Sequence, residues 1–391
     1  ARHGGFVAGA QLIDHSAFAV SFAEAAAMDP QQRLLLERCY ATLHASCLDR
    51  AALSGSLTGV FVGIASNEFA QVLAESPAGG SVYAATGSAL SIASGRLSYT
   101  LGLNGPCVSF DTACSAALSA CHAGLRALQL DECHANIVAG VSLMLAPLVS
   151  MSFALAGMTS PRGRSHTFDA RADGFARGEA CGSIAMRCDG RSLGLSLCGS
   201  AVRQDGRSAS LTAPNGQAQQ GLLLAAMSDA CTLADALTLN EAHGTGTALG
   251  DPIEVGSLAN AVLAARSSAE PLPVGGVKAN IGHAEPAAGM TGLLRLAAAL
   301  TRGEVAANAQ LRVLNPHLRT SLKGGVCIQP TQLSELVAGE RGGVSSFGYS
   351  GTIAHTVLRR AGAEADAAPA ASMAITYRRR AFPWRDRPHP F

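Results

Sequence analysis

The sequence is poor in charge and in aromatic side chains. Charged residues make up 15% of its 391 positions, aromatic residues make up 5%, and the net charge is only +1. A nearly neutral chain lacks the basic surface with which proteins bind nucleic acid. No apolar run approaches the roughly 20 residues that a helix needs to cross a bilayer. The sequence therefore predicts a soluble protein without a nucleic-acid partner or a transmembrane segment.

The eleven cysteines lack the paired spacings of a disulfide framework. An odd number of cysteines in a long chain is typical of free thiols, which predicts the cytoplasm or another reducing compartment. The N-terminus shows no signal-like segment. Glycine is plentiful, at 43 residues, and 48% of the chain is hydrophobic. This composition predicts a globular α/β protein with a large core and many tight turns.

One stretch combines a short strand, a sharp turn and a helix start around a single thiol. Residues 107–110 form an apolar run, and residues 115–128 carry Ala and Leu at helical spacing. Cys114 is therefore predicted at a helix N-terminus, where free N–H groups favour a thiolate and lower its pKa from ~8.5 towards neutrality. Cysteine is also among the most frequently buried residues, so position alone leaves an inert core thiol as the commoner interpretation.

Two later segments repeat this arrangement with histidine. Short apolar runs at residues 236–239 and 274–277 predict strands, and His243 and His283 follow them in glycine-containing turns that lead into helices. A single histidine in a turn is more often a structural residue than a catalyst. One cysteine and two histidines at the carboxyl ends of strands, where α/β folds gather their chemistry, favour a shared site.

These three segments resemble the signatures of β-ketoacyl synthases with a Cys-His-His site. They are residues 111–115 (Asp-Thr-Ala-Cys-Ser), residues 241–252 (Glu-Ala-His-Gly-Thr-Gly-Thr-Ala-Leu-Gly-Asp-Pro) and residues 278–283 (Lys-Ala-Asn-Ile-Gly-His).

Further motifs point to one class within this family. Residues 28–37 and the Gly-Thr-Gly-Thr sequence at 244–247 are more similar to the ketosynthase domains of modular type I polyketide synthases than to stand-alone fatty-acid enzymes. Residues 168–179 and 345–352 also fall where that family has them, so the resemblance covers nearly the whole chain. One departure is Ile353, where the family usually has Asn.

The resemblance implies a thiolase-like α/β fold with duplicated βαβ halves in five layers, α-β-α-β-α. We expect an N-terminal half with the nucleophile over residues 1–190 and a C-terminal half with both histidines over residues 191–360. Residues 361–391 would be an Ala-rich linker and a basic tail that leads to a following domain. The family's first strand would precede residues 4–6, so we expect it to be missing here. The tail resembles a segment that packs back on ketosynthases, although its Arg run fits a solvated linker equally well.

The same resemblance implies a decarboxylative Claisen condensation that extends a polyketide chain. An acyl thioester would be transferred to Cys114 and then joined to a malonyl-type thioester. Both substrates would arrive on the phosphopantetheine of an acyl carrier protein, with no permanently bound cofactor. A homodimer and neighbouring synthase domains are the other expected partners. A fatty-acid type ketosynthase and a catalytically silent acyl-binding scaffold stay open as alternatives.

The resemblance also implies roles for individual residues. Cys114 is the nucleophile, and neutral His243 and His283 donate hydrogen bonds to the enolate. Lys278 tunes charge and orientation. The backbone N–H groups of Cys114 and Tyr349 form an oxyanion hole, and the Tyr349 side chain gates the acyl pocket. The remaining expected site residues are Phe347 and Gly348 in the acyl pocket and Thr245, Thr247, Asn280 and Glu285 in support.

Two other chemistries, a zinc site and a thiol hydrolase, fit these residues less well. Zinc binding by the cysteine and the two histidines lacks C-x2-C or H-x3-H spacing, so no metal site is predicted. A thiol hydrolase needs one Cys, one His and an orienting carboxylate or amide, which leaves the second histidine without a role. The charged residues between 169 and 179 resemble an acid/base pair or a metal cluster at first sight. A structural ion-pair network is favoured, since buried charges need partners.

Overall fold

The computed structural model describes residues 3–188, 194–322, 327–336, 340–361 and 375–384. The strands, in chain order, are β1 Leu12–Ile13, β2 Thr58–Gly63, β3 Cys107–Phe110, β4 Ala135–Ser142, β5 Ala180–Arg187, β6 Leu195–Gln204, β7 Leu239–Glu241, β8 Leu272–Gly275, β9 Glu304–Val305, β10 Cys327–Ile328, β11 Ser334–Glu335, β12 Arg341–Phe347, β13 Thr352–Arg360 and β14 Arg380–Ala381. The α-helices are α1 Phe22–Ala27, α2 Pro30–Ala45, α3 Arg50–Leu53, α4 Glu68–Ala74, α5 Ala84–Ser88, α6 Leu90–Leu101, α7 Ala116–Gln129, α8 Pro147–Leu155, α9 Gly216–Asp229, α10 Gly250–Ala261, α11 Lys278–Ile281, α12 Ala288–Arg302 and α13 Pro316–Leu322.

The two larger sheets share one topology over four strands. The first has the order β3-β2-β4-β5, with β2 parallel to β3 and β4, and β5 antiparallel to β4. The second has the order β10-β8-β7-β12-β13-β6, with β7 parallel to β8 and β12, and β13 antiparallel to β12. Strands β3, β2, β4 and β5 therefore correspond to β8, β7, β12 and β13. The predicted duplication of βαβ halves is confirmed.

Strand β6 has no counterpart in the described part of the first sheet. It pairs antiparallel with β13 and precedes β7 in the chain. Its counterpart would pair with β5 and precede β2.

Helices separate and cover the two sheets. Between them lie α7, which contacts β2, β4, β6 and β13, and α12, which contacts β4, β5, β7 and β12. The outer face of the first sheet is covered by α2 and α6, and that of the second by α9, against which α10 packs. The predicted five-layer order is confirmed. Among the helices in the described ranges, none is long and apolar enough to span a membrane.

Residues 375–384 of the basic tail pack against the first half. Strand β14 pairs antiparallel with β1, and Phe382 is only 3% exposed. The buried Arg33 donates a 2.8 Å hydrogen bond to the Phe382 carbonyl and places its guanidinium 5.4 Å from the ring centroid. Arg379 forms a 2.8 Å ion pair with Glu37. This part of the tail is thus docked and not a solvated linker, while residues 362–374 and 385–391 lie outside the described residues.

Candidate active site

The candidate site lies where parallel strands of both sheets end. Cys114 follows β3, His243 follows β7, Lys278 and His283 follow β8, and the turn at residues 347–351 follows β12. Because β3 and β8 are counterparts, Cys114 and His283 come from corresponding loops of the two halves. The cysteine, both histidines and the turn border one cavity of about 710 Å³. The carboxyl ends of strands are the usual place for the chemistry of α/β folds.

Cys114 occupies a tight turn between β3 and α7. The preceding residue, Ala113, has a left-handed φ of 52°, which is uncommon for a residue with a Cβ. Ser346 on β12 donates a 2.6 Å hydrogen bond to the Cys114 carbonyl, and the Ser115 hydroxyl donates a 2.9 Å bond to the Thr112 carbonyl. Helix α7 begins at Ala116. The sulfur is therefore held just outside a helix N-terminus.

The turn after β12 lies directly on this loop. A Cβ built on Gly348 would lie 2.4 Å from the Thr112 carbonyl oxygen, so only glycine fits. The close approach brings the backbone N–H of Tyr349 to the Cys114 sulfur, where it joins the N–H of Cys114 itself. Two converging backbone donors can hold an oxyanion.

Both histidines accept a backbone hydrogen bond at the same ring nitrogen. Nδ1 of His243 accepts a hydrogen bond from the backbone N–H of Phe347 at 3.3 Å, and Nδ1 of His283 accepts one from the N–H of Glu285 at 3.2 Å. A neutral imidazole that accepts at Nδ1 carries its proton on Nε2. Nε2 of His283 lies 3.1 Å from Sγ of Cys114. The rings are nearly perpendicular, with centroids 5.6 Å apart.

Electrostatics keep both rings neutral. Burial lowers the pKa of His243 well below its usual range, and the positive charge of Lys278 acts in the same direction. Burial likewise lowers the pKa of His283, with Lys278 and Arg177 adding to the effect. Neutral rings donate hydrogen bonds through Nε2–H without readily giving up a proton.

The pKa of the Cys114 thiol is shifted upward, opposite to the direction expected from its helix position. Desolvation raises the pKa of the Cys114 thiol to about 12, and the negative charge of Glu285 acts in the same direction. Lys278 and the two backbone N–H groups lower it without offsetting desolvation. The helix lies in the predicted place, but the surroundings that exclude water were not readable from the local sequence.

Lys278 is 2% exposed and lies outside the cavity lining, among acidic side chains. Burial lowers its pKa, while the charges of Glu241, Glu254 and Asp251 raise it. Glu254 binds the loop of the first histidine: its carboxylate accepts the backbone N–H of His243 at 2.6 Å and that of Gly244 at 2.8 Å. The positive charge of Lys278 lowers the pKa of Cys114, of His243 and of His283.

The other predicted site residues divide into two groups. Asn280 has an exposed side chain that donates to the Ala307 carbonyl at 3.2 Å, so it makes no contact with the reacting groups. Ile353, where the family has Asn, is fully buried and does not line the cavity. The cavity is lined by the remaining six: Thr245, Thr247, Glu285, Phe347, Gly348 and Tyr349.

Several lining residues were not predicted. Helix α8 contributes an apolar wall that includes Phe153, and Asp205 and Gln219 line the cavity from the second half. Asp251 and Glu254 also line it. The signal for these last two was an Asp-Pro pair at a helix start, where a carboxylate is favoured by the macrodipole. No sequence pattern placed helix α8 at the site, because its apolar residues are also typical of a helix that packs on a core.

The charged residues at 169–179 form separate ion pairs and not the single network that was expected. Arg171 makes a two-pronged ion pair with Asp169 at 2.7 and 3.0 Å. Arg177 finds its partners outside the stretch, in Glu68 and Glu285. Within the described residues, no group of three or more His, Cys, Asp or Glu side chains is placed to hold a metal ion.

Comparison with known proteins identifies the family. The family model "Beta-ketoacyl synthase, N-terminal domain" matches residues 1–188, and "Beta-ketoacyl synthase, C-terminal domain" matches residues 196–312. The chain belongs to the β-ketoacyl synthase family. It is 40% identical over 380 residues to the spectinabilin polyketide synthase system protein NorC of Streptomyces orinoci, which covers 95% of this chain and 17% of that protein. It is 41% identical over 370 residues to the erythronolide synthase EryA3 of Saccharopolyspora erythraea, which covers 92% and 12%.

Solved ketosynthases share the fold. The ketosynthase from module 6 of the bacillaene synthase of Bacillus subtilis 168 superposes with a TM-score of 0.83 at 31% identity, covering 91% of this chain and 64% of that one. The oxazolomycin ketosynthase domain OzmH KS7 of Streptomyces albus JA3453 gives 0.86 at 31% identity, covering 92% and 64%. This β-ketoacyl synthase chain thus spans under a fifth of the two polyketide synthase proteins and about two thirds of the solved ketosynthase chains.

Proposed function

We propose that this β-ketoacyl synthase chain extends a polyketide by decarboxylative condensation of a Cys114-bound acyl group with a malonyl-type thioester. The observation that carries the proposal is the pairing of the Cys114 sulfur with Nε2–H of His283 at 3.1 Å, beside a second neutral histidine. Neutral donors suit an enolate, because a strong acid beside its carbon would quench the nucleophile.

In the first half-reaction, the Cys114 sulfur attacks the carbonyl carbon of an acyl thioester. The oxyanion that forms is held by the N–H groups of Cys114 and Tyr349. The carbon–sulfur bond to the carrier breaks, and the thiol proton of Cys114 ends on the departing carrier sulfur. Because the exchange releases no net proton, a resting thiol of high pKa is compatible with it.

In the second half-reaction, the carboxylate–carbon bond of the malonyl group breaks and carbon dioxide leaves. The bonding electrons become an enolate, whose oxygen accepts hydrogen bonds from Nε2–H of His243 and of His283. The enolate carbon then attacks the acyl carbonyl, and the carbon–sulfur bond to Cys114 breaks. The released thiolate takes one proton from water.

Delivery on a carrier protein is part of the proposal. Both acyl groups would reach the sulfur on a phosphopantetheine arm through the cavity, with no cofactor bound permanently. Tyr349, which is 47% exposed and lines the cavity, suits the proposed gating role. The following linker and tail would join neighbouring synthase domains. The eleven cysteines are all free, which fits the cytoplasm or another reducing compartment.

A homodimer is also proposed. Strand β3 is an edge strand of a largely parallel sheet, yet its first two residues, Cys107 and Val108, are exposed. Edge strands of parallel sheets are normally covered. Sedimentation should give a species of twice the 39.7 kDa chain mass. A monomer at micromolar concentration would contradict this assembly.

The decisive experiment separates acylation from condensation. The protein is incubated with an acyl carrier thioester, and adducts on Cys114 are read by mass spectrometry. A malonyl carrier is then added, and carbon dioxide and condensed product are measured. Cys114→Ala should abolish acyl transfer, whereas His283→Ala should lose decarboxylation yet retain some acylation. His134→Ala, at an exposed histidine, is the control. Condensation by His283→Ala at the wild-type rate would overturn the roles, and no adduct on Cys114 in the wild type would favour a silent scaffold.

A further inference from the structure

A buried arginine connects the second histidine to the wall of the cavity. Arg177 is 2% exposed, and its Nε and Nη2 donate to the two carboxylate oxygens of Glu285 at 2.5 and 3.1 Å. Nη2 also donates to Glu68 at 3.1 Å, and Nη1 donates to the Ser150 hydroxyl at 2.6 Å. A planar guanidinium bound on several sides has one orientation, and a lysine ammonium cannot reproduce this geometry.

Away from Glu285, Arg177 is held by Glu68, which is itself bound to the backbone between β4 and α8. Glu68, in the first turn of α4, accepts the backbone N–H groups of Leu145 and Ala146 at 2.7 Å each through its second oxygen. Those residues link β4 to α8, and Ser150 lies on α8. Arg177 therefore transmits the position of α4 and α8 to Glu285.

The other partner of Arg177, Glu285, contacts the imidazole ring of His283. Glu285 has a φ of +46°, a left-handed conformation that costs a residue with a Cβ. In this conformation its backbone N–H donates to Nδ1 of His283. Rotation about φ changes the orientation of this N–H relative to the Cα and side chain of Glu285, so a fixed carboxylate helps to fix the N–H. If the Glu285 carboxylate were released, we expect the backbone to relax and the contact with Nδ1 to be lost.

We propose that Arg177 is a positioning residue of the condensation: by clamping Glu285, it keeps the Glu285 N–H on Nδ1 of His283 and so directs Nε2–H at the Cys114 sulfur. The inference rests on the proposed function for its catalytic consequence, but its structural content concerns the tautomer alone. With Nδ1 occupied by a donor, the ring proton sits on Nε2. Without that donor, the proton can move to Nδ1, and Nε2 then presents a lone pair that cannot stabilise an enolate.

The test uses Arg177→Lys, which keeps the positive charge but removes the paired guanidinium donors that bind the Glu285 carboxylate. Imidazole ¹⁵N shifts of His283, assigned by their loss in His283→Ala, report its tautomer in the free protein. The wild type should show the Nε2–H form, and Arg177→Lys should show a substantial Nδ1–H population. Condensation should fall about tenfold, in line with a small misplacement of a reacting group. Arg126→Gln, which removes a partly exposed ion pair to Asp229, is the matched control and should change neither readout.

Glu285→Gln is the second variant, in case the lysine protein does not fold. Glutamine has the same shape as glutamate but offers Arg177 one acceptor oxygen in place of two. We therefore expect a smaller increase in the Nδ1–H population than in Arg177→Lys. An unchanged tautomer in both folded variants would overturn the inference. A shifted tautomer with unchanged condensation would also overturn it. A wild type that shows Nε2–H but does not condense would instead contradict the proposed function and leave the tautomer result standing on its own.

Discussion

Replacing Gly348 by alanine tests the contact on which the proposed oxyanion hole depends. This glycine follows β12 within the turn that carries the Tyr349 N–H, and an added Cβ would meet the Thr112 carbonyl oxygen at 2.4 Å. The backbone carbonyl of Thr112 belongs to the nucleophile loop, so it cannot rotate away like a flexible side chain. We expect the turn and the loop to separate.

The size of the effect follows from the overlap. An ordinary contact of this kind begins at 3.4 Å, so the two segments must move apart by roughly 1 Å. A misplacement of that size, or the loss of one oxyanion donor, costs about 100-fold in rate. Gly348→Ala should therefore acylate about 100-fold more slowly, which corresponds to ~2.7 kcal/mol in the barrier. Alkylation by iodoacetamide needs no oxyanion hole and should change much less.

The assay compares these two reactions of the same sulfur. Acyl transfer from an acyl-pantetheine thioester and alkylation by iodoacetamide are both followed by mass spectrometry of the Cys114 peptide. Gly95→Ala is the matched control, because a Cβ there meets nothing within 4 Å. Thermal melting establishes that both variants are folded. Acylation of folded Gly348→Ala within twofold of the wild type would refute the reasoning.

Two further changes test the acidic cluster and the tail. Burial raises the pKa of Glu254 to about 7 from an unfolded value near 4.5; the folded state then binds more protons, so its contribution to the free energy of unfolding should fall between pH 4.5 and 7. Urea titrations should show a flatter pH dependence for Glu254→Gln, and an unchanged slope would contradict this. Phe382→Ala should lower the free energy of unfolding by ~3 kcal/mol, the usual cost of removing a buried aromatic ring. Leu233→Ala, at a side chain 80% exposed, should change it little.

Most of the strands, turns and helices that carry the site residues could be predicted from local sequence patterns. The apolar run at residues 107–110 is β3, and the helix predicted at 115–128 is α7, Ala116–Gln129. The turn at residues 347–351, between β12 and β13, contains two glycines, and three of its residues were expected at the site. In each case the signal lies within about ten residues: an apolar run, a small-residue turn, or helical spacing. Such signals do not depend on the rest of the chain.

The pKa of the Cys114 thiol depends on distant residues, and the sequence predicted a downward shift where the structure gives an upward one. The helix N-terminus is local, and it was found. Burial dominates the pKa of Cys114, and the cavity around the sulfur is lined by residues of both halves. The charges of Glu285 and Lys278, which also act on this pKa, lie far from Cys114 in the sequence. The partners of Arg177 were missed for the same reason, because Glu68 lies 109 positions away and Glu285 lies 108 positions away. Spacing in the sequence carries no information about such pairs.

The duplicated topology explains why the reacting pair is so far apart in the chain. Cys114 and His283 are separated by 169 positions, yet they occupy corresponding loops after β3 and β8. Each half brings one loop to the edge where its strands end, and α7 and α12 pack between the sheets so that the two edges meet. Neither half holds both partners of the 3.1 Å contact. The proposed chemistry therefore depends on the docking of the halves. Residues that hold the loops together across this interface, such as Arg177 and Gly348, are expected to control the reaction through the positions of those loops.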